Sequence, residues 1–421
     1  MFKMKKEFFL MVLLSLSISV VTKAQLTITG EFRPRVEMRS GYGSLKTDSL
    51  KPAYLVAQRT RLSFMYQKEW MKTYISIQDV RLWGDDNIFN PTGAFGHTAN
   101  LDLNEAWMQL SFLNNSSLKI GRQMFNYDDG RLLSARNWND RAIFYDALLY
   151  QFKKNNWDVD LALSWFANKN NSFDNYYPSD KMRTINFLRV HKVFNSNLKA
   201  SVIALGSGYT KSNTDQTVYM KGSYGIWVHH KKEDFTGWSS FYFQNGKSAD
   251  GRSAEAWNFN IKADQKIGRF TGGLGASLIS GEKNNTAKDE LFDLLYGVRH
   301  LVYGYMDYFN NLPRATSKGG LNDLYLTTHF MVNKKIGLSL DYHYFALNQK
   351  VNDLDKYLGS ELDLGVNVNF RSELNLRGGY SVMLPGATME EIQGVGKGNS
   401  SFSSWAYIML TFKPTIFVQK D

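Results

Sequence analysis

The chain of 421 residues contains no cysteine. Disulfides, thiolate metal sites and cysteine nucleophiles are thereby excluded. Proline is scarce, at 7 residues, and no Pro/Ser-rich linker or shift of composition marks a boundary between soluble domains. Beyond the first 24 residues no window holds the roughly 18 consecutive apolar residues that a membrane-crossing helix needs. Histidine is sparse too. The 7 present include His191, His229, His230, His329 and His343, none beside a nucleophile motif such as G-x-S-x-G. His229-His230 stands at an expected strand end and reads as a rim feature rather than a metal pair. Neither an enzyme nor a nucleic-acid partner is expected.

What the chain does contain is alternation. Ile336, Leu338, Leu340, Tyr342 and Tyr344 share one face of an extended segment, and Gly337, Ser339, Asp341 and His343 share the other. Leu362, Leu364, Val366, Val368 and Phe370 oppose Glu361, Asp363, Gly365, Asn367, Asn369 and Arg371 in the same way. Period two gives a strand with one apolar and one polar side. The pattern predicts 18 strands, near 26–39, 54–68, 71–85, 101–113, 117–124, 142–154, 156–167, 181–194, 197–209, 216–230, 235–246, 253–265, 269–280, 321–332, 336–348, 357–370, 373–384 and 402–413. A phase slip at Gln78-Asp79 reads as a β-bulge or as the exit from the membrane, and alternation leaves the side of Arg122 open.

Short polar connections such as 114–116, 195–196, 333–335 and 371–372 alternate with long ones such as 40–53, 86–100, 125–141, 168–180, 281–320 and 385–401. Short turns at one end, long loops at the other and an even strand count are the signature of an outer-membrane barrel, here an all-β, 18-stranded antiparallel up-and-down barrel with periplasmic termini. The 28 Phe, 23 Tyr and 10 Trp suit aromatic girdles. Phe412 resembles the terminal aromatic by which the barrel assembly machinery recognises its clients. Lys3, Lys5 and Lys6, the apolar stretch Phe8 to Val21 and Thr22-Lys23-Ala24 read as a cleaved signal peptide over 1–24. The barrel is expected over 25–413 and a periplasmic tail over 414–421, in a monomer surrounded by lipid and lipopolysaccharide. A TonB-dependent transporter is not expected, since no plug domain precedes the strands and the chain is short for a barrel of about 22 strands.

The formal charge is +11, of which Lys3, Lys5, Lys6 and Lys23 against Glu7 supply +3. In the first strand, Glu31, Arg33, Arg35, Glu37 and Arg39 alternate with Phe32, Pro34, Val36 and Met38. An arginine facing mid-membrane lipid costs roughly 2–4 kcal/mol, so the charged set is assigned to the lumen. Arg59 and Arg61 repeat the pattern in the second strand. Such a positive ladder favours anions, although arginines paired with Glu31 and Glu37 could equally stiffen the wall. The densest constellation runs from Lys119 to Arg141, with Arg122, Arg131, Arg136 and Arg141 among Asp128, Asp129 and Asp140. So charged a loop must pair its charges internally or with wall arginines, and it is expected to dip into the lumen as a constriction. Asp128-Asp129-Gly130 with Asn126 hints at calcium but lacks the spacing of a calcium loop, so no cofactor is expected. The segment 281–320, with Leu291, Leu294 and Leu295 at helical spacing and Tyr296, Tyr303, Tyr305, Tyr308 and Phe309 following, reads as an inward plug, a cover over the mouth, or a surface loop with its own apolar cluster.

The motifs Gln58-Arg-Thr-Arg-Leu62, Gln78-Asp-Val-Arg-Leu-Trp-Gly-Asp85, Asn104-Glu-Ala-Trp107, Gly121-Arg-Gln123 and Asp128-Asp-Gly-Arg131 with Asn137-Trp-Asn139 resemble the alginate-export porin family. Leu295-Tyr-Gly297, Tyr303-Gly-Tyr-Met-Asp-Tyr308 and Gly379-Tyr-Ser381 with Met389-Glu390 extend the resemblance over nearly the whole chain. It implies an 18-stranded barrel with an arginine-rich constriction for a polyuronate, with Arg59, Arg61, Arg81, Arg122 and Arg131 lining it. Ala24-Gln25 at the cleavage site and the asparagine-rich loops resemble the Bacteroidetes branch. The expectation is a passive channel for anionic saccharides. The alternative is a closed structural or adhesive barrel whose surface loops bind ligands.

Overall fold

The computed structural model describes residues 24–84, 101–173, 176–283, 286–300 and 302–419. The expected signal peptide lies outside these residues except for Ala24, as does the long connection expected over 86–100. Eighteen strands follow in order: β1 (Gln25–Ser40), β2 (Ala53–Gln67), β3 (Met71–Leu82), β4 (Leu101–Phe112), β5 (Ser116–Gln123), β6 (Tyr145–Lys154), β7 (Trp157–Leu163), β8 (Met182–Val193) and β9 (Leu198–Thr210). The second half comprises β10 (Val218–Lys232), β11 (Phe235–Lys247), β12 (Ser253–Ile267), β13 (Phe270–Ile279), β14 (Leu321–Met331), β15 (Ile336–Ala346), β16 (Tyr357–Arg371), β17 (Leu374–Pro385) and β18 (Ser403–Phe412). Each pairs antiparallel with its sequence neighbour, and β18 pairs with β1, closing the barrel. Closure leaves no free sheet edge, which is what a bilayer demands of a sheet.

The seam shows one difference from the sequence reading. The strand β1 is longer than β18, and its first residues need a partner. Pro414 has no N–H to give the ladder. The chain jogs there, with Gly30 N donating to Pro414 O at 2.9 Å, and resumes as β19 (Thr415–Gln419) against Leu26–Thr29. The expected tail from 414 is thus largely wall.

Alternation sorts the wall as expected. Phe32 and Val36 are exposed on the outside of β1, while Glu31, Arg33, Arg35 and Glu37 are buried inside. Of the two readings of the slip in β3, the bulge is absent from the strand, and the charged outward residues Asp79 and Arg81 mark where it leaves the apolar band. Ser76 and Gln78 both point inward and are buried, so the phase holds through Gln78. The irregularity sits across the ladder, where Ser76 pairs with Glu105 and Ile77 with Leu103, leaving Asn104 as the extra residue of a bulge in β4.

The hydrophobic core lies inside the barrel. Two long connections fold inward from the loop end: 124–144 between β5 and β6, and 280–320 between β13 and β14. Phe125, Leu133, Phe292, Leu295, Tyr303, Met306 and Phe309 from these segments are buried against Tyr145, Phe187, Leu205, Tyr242, Phe345 and Trp405 of the wall. Leu133 and Tyr296 bridge in parallel, Ser134 N donates to Tyr296 O at 3.1 Å, and Val298 N donates to Gly130 O at 2.8 Å. Gly297 is required at this contact, because a Cβ there would run into the Arg131 carbonyl. Of the three readings of 281–320, the inward plug is the one observed. It carries a short helix, α1 (Leu312–Ala315), and a second helix, α2 (Ala387–Ile392), follows β17. The first loop joins the cover, with Gly43 N donating to Met306 O and Lys46 bridging to Ser401.

Candidate functional site

The segment 124–144 crosses the bore. Near its start, Asp128 pairs with Arg189 of β8 at 2.6 Å, and Asp129 accepts from Tyr242 Oη of β11 at 2.8 Å. Arg131 is buried, donating to Ser277 Oγ of β13 at 3.0 Å beneath the Tyr303 ring. The far end is held by the arginine ladder on the opposite wall. Arg33 donates to the carbonyls of Asn137 (2.6 Å) and Trp138 (3.0 Å) and pairs with Asp140 at 3.0 Å. Arg35 pairs with Glu37 (2.7 Å) and Asp140 (3.2 Å). Arg59, whose side chain has no exposed surface, donates to Glu31 Oε1 at 2.7 Å and to the carbonyls of Asn137 and Asn139 at 3.2 and 3.1 Å.

The ladder is therefore a clamp. A guanidinium presents five donors in a fixed fork and suits a turn of backbone carbonyls with a carboxylate behind it. Arg33, Arg35 and Arg59 spend most of their donors on the inner segment and on acids. Arg61 is engaged more lightly, with Gln78 at 2.8 Å and the Asn137 side chain at 3.3 Å.

Two expected lumen residues face the other way. Arg81 lies on the outward phase of β3 beside Gln58 and pairs with Asp79 at 2.6 Å. Arg122 lies on the outward phase of β5 and pairs with Asp146, an exposed outward residue of β6, at 3.1 Å. Both stand in the last positions before the loop end, where the apolar outer band gives way to a polar interface that tolerates charge. Arg141 is exposed, and its carbonyl accepts from Gln78.

The open cations are ones that alternation alone did not single out. A cavity of about 850 Å³ is lined by Arg33, Arg59, Arg136, Arg299, Arg377 and Lys413, with His300, Trp138 and six asparagines: 137, 139, 310, 367, 369 and 375. No carboxylate is among its lining residues. Arg377 is exposed into it from β17. A second cavity of about 670 Å³, on the other side of the Arg136-Asn137 tip, contains Arg61, Arg136 and Lys413 together with Glu31 and Glu105. Toward the loop end, cavities of about 700 and 500 Å³ share Asn310 with the cationic one, and the smaller also shares Arg299.

The acids on the inner face of the opposite wall are covered. Asp323, Asp341, Glu361 and Asp363 are buried on the inner face of β14–β16. Glu361 accepts from the backbone N of Met306 at 2.8 Å and from that of Tyr305, and Asp341 accepts from Tyr305 Oη at 3.0 Å. The plug thus turns carbonyls toward the arginine wall and N–H groups toward the acidic wall. It hides these four carboxylates, while Arg136, Arg299 and Arg377 stay on a cavity surface; Lys413 does so too but is paired with Glu31 at 3.1 Å.

At the junction of the cavities, Arg136 donates to Gly297 O (2.7 Å) and Leu295 O (2.9 Å), and Arg299 donates to the same Leu295 O (3.3 Å) and to Asn310 O. Burial first, and then the charge of Arg299, lowers the Arg136 guanidinium from 12.5 to about 10; burial lowers Arg299 as well. His300 stacks on Trp138 with centroids 4.1 Å apart, and its Nδ1 meets Asp307 at 2.8 Å.

A scan of family models matches residues 24–402 to the family described as alginate export. A search of curated proteins finds no match. Among solved structures, the chain is similar to OccK9 (OpdG) of Pseudomonas aeruginosa, with a TM-score of 0.62 at 12% identity over 92% of this chain and 98% of that one. It is similar to OccAB1 of Acinetobacter baumannii, with a TM-score of 0.62 at 13% identity over 94% and 97%. OpdK of Pseudomonas aeruginosa, in a structure with vanillate, matches with a TM-score of 0.57 at 12% identity over 94% and 99%. At such identities the likeness is one of fold, a closed antiparallel barrel. These matches lend no support to the Bacteroidetes branch.

Proposed function

The chain belongs to the alginate export family, whose members are channels rather than enzymes, and on that footing we propose that it passes small acidic saccharides passively across the outer membrane. The turn end faces the periplasm in this reading, and the loop end faces outside. One observation carries the proposal: the cavity of about 850 Å³ has five arginines and a lysine in its lining, and no carboxylate. A unit charge about 4 Å from a solute carboxylate contributes roughly 4 kcal/mol at an effective dielectric of 20, and about 1 kcal/mol in open water. Arg33, Arg59 and Lys413 are paired with acids, so the preference falls to Arg136, Arg299 and Arg377, three cations around one hydrated cavity. The asparagines add amide donors and acceptors of the kind that match sugar hydroxyls.

Size argues for short solutes over a polyuronate chain. The two inner segments bury an apolar core within the bore, and the cationic cavity adjoins the two toward the loop end at Asn310 and Arg299. The test is planar-bilayer conductance. A KCl gradient should give a reversal potential of the sign for anion preference. Galacturonate and its dimer should permeate or block at lower concentrations than long oligouronates or neutral galactose. A barrel that gives no conductance steps would instead be a closed adhesive one.

A further inference from the structure

The geometry points to a carboxylate seat formed by Arg136 and Arg299, at which the solute itself opens the junction by drawing Arg299 off the carbonyl of Asn310. The inference rests on the reading of the channel as one for anionic saccharides, and it adds how the passage is unlocked. Three observations bear on it.

The first is crowding without a carboxylate in contact. Two guanidinium groups press on one acceptor, Leu295 O, at 2.9 and 3.3 Å. Among the described residues, neither lies within 4 Å of a carboxylate oxygen. Burial disfavours the charged form of both, the charge of Arg299 adds to this at Arg136, and the more distant Asp293 offsets it only in part. A guanidinium seldom responds by giving up its proton. An arriving anion relieves the same strain, and two guanidinium groups with a shared neighbour match its two oxygens.

The second is an unused donor. Arg299 Nε is buried and has no hydrogen-bond partner, a condition that costs about 1–3 kcal/mol in a folded protein. A carboxylate bridging Nε and an Nη of Arg299 satisfies it, and bidentate pairing uses an edge of the fork that backbone carbonyls leave idle.

The third is position. Asn310 lines the cationic cavity and both outer cavities, and Arg299 lines the cationic cavity and one outer one. Their bond lies on the partition. Asn310 closes on Arg299 through its backbone oxygen, a neutral acceptor. Charge-assisted bonds to a carboxylate are about twice as strong as neutral ones. A solute carboxylate therefore outcompetes that carbonyl, whereas chloride lacks the paired oxygens and a neutral sugar lacks the charge.

The experiment records single channels in KCl, adding sodium galacturonate or galactose. Anion preference is read from the reversal potential, and opening from the open probability at the conductance of the solute-free open state. In the wild type, galacturonate should raise the open probability about tenfold, roughly the equilibrium shift of one charge-assisted bond, and galactose should leave it unchanged. Arg299→Gln should be open without solute, insensitive to galacturonate, and still anion-preferring through Arg136 and Arg377. Arg299→Lys keeps the charge but not the fork, and should retain less than half of the galacturonate effect. Heat-modifiable gel mobility reports whether each variant has formed its barrel. An open probability in the wild type that ignores galacturonate, an equal response to galactose, or a full response in either Arg299 variant overturns the seat. Loss of anion preference in the wild type overturns the reading beneath it, and the two failures fall on different readouts.

Discussion

Replacing Arg59 and Arg377 separately by glutamine should have opposite consequences, although both arginines line the same cavity. The Arg59 side chain is fully buried, holds Glu31, and donates to two carbonyls of the inner segment. Truncating one partner of a buried ion pair costs about 3–5 kcal/mol because the other charge is stranded. Glu31 keeps Lys413 at 3.1 Å, which places Arg59→Gln near the lower end, about 3 kcal/mol. Arg377 is exposed, so Arg377→Gln should stay within about 0.5 kcal/mol of the wild type. For selectivity the order reverses. Each uncompensated cation in a hydrated cavity contributes about 1 kcal/mol to an anion nearby, so its loss should lower the anion-to-cation permeability ratio roughly fivefold. Arg59, neutralised by Glu31 and occupied by carbonyls, should change that ratio less than about twofold by charge alone. Urea unfolding in detergent micelles measures the first quantity, and reversal potentials in a KCl gradient the second. A stable Arg59→Gln that has lost its anion preference would refute the division of the arginines into clamp and open charge.

The remaining predictions are shorter. Arg81→Gln and Arg122→Gln should leave the reversal potential unchanged, since both side chains lie outside the barrel; a shift in either would place them in the lumen. Gly297→Val drives a side chain into the Arg131 carbonyl and should loosen the two inner segments from each other, seen as faster proteolysis within 124–144 and noisier conductance. Asp128→Asn strands the half of Arg189 that Asp160 does not satisfy, and should cost about 1–3 kcal/mol in micelle unfolding. A double replacement of Lys283 and Lys288, which sit on exposed loop surface, should leave anion preference intact.

Alternation made the barrel legible because the wall follows a local rule. Each strand residue faces in or out by parity, and the bilayer punishes the wrong choice. The strand predicted at 26–39 is Gln25–Ser40, and the one at 357–370 is Tyr357–Arg371. Parity gave way only where the penalty fades. Arg81 and Arg122 stand at the loop-end margin, where an outward charge finds an acid beside it, and the outward Asp79 and Arg81 are what reads as a slip in β3. The seam was missed because Pro414 ends one ladder without ending the wall.

What parity cannot report is the partner across the bore. That Arg33 faces inward follows from Phe32 and Pro34 on either side of it. That it grips Asn137 and Asp140, more than a hundred residues away, depends on a loop whose path no periodicity describes. The sequence offered one hint, the alternation of Arg131, Arg136 and Arg141 with Asp128, Asp129 and Asp140, which demanded partners for both signs. The acids found Arg189, Tyr242, Arg33 and Arg35. Arg131 and Arg136 found carbonyl and hydroxyl oxygens instead, with Asp129 and Asp293 near but not in contact with the guanidinium groups. An arginine satisfied in hydrogen bonds but not in charge still attracts an anion, and one satisfied in both is structure. Counting arginines on a face cannot separate the two, and a census of their acceptors can.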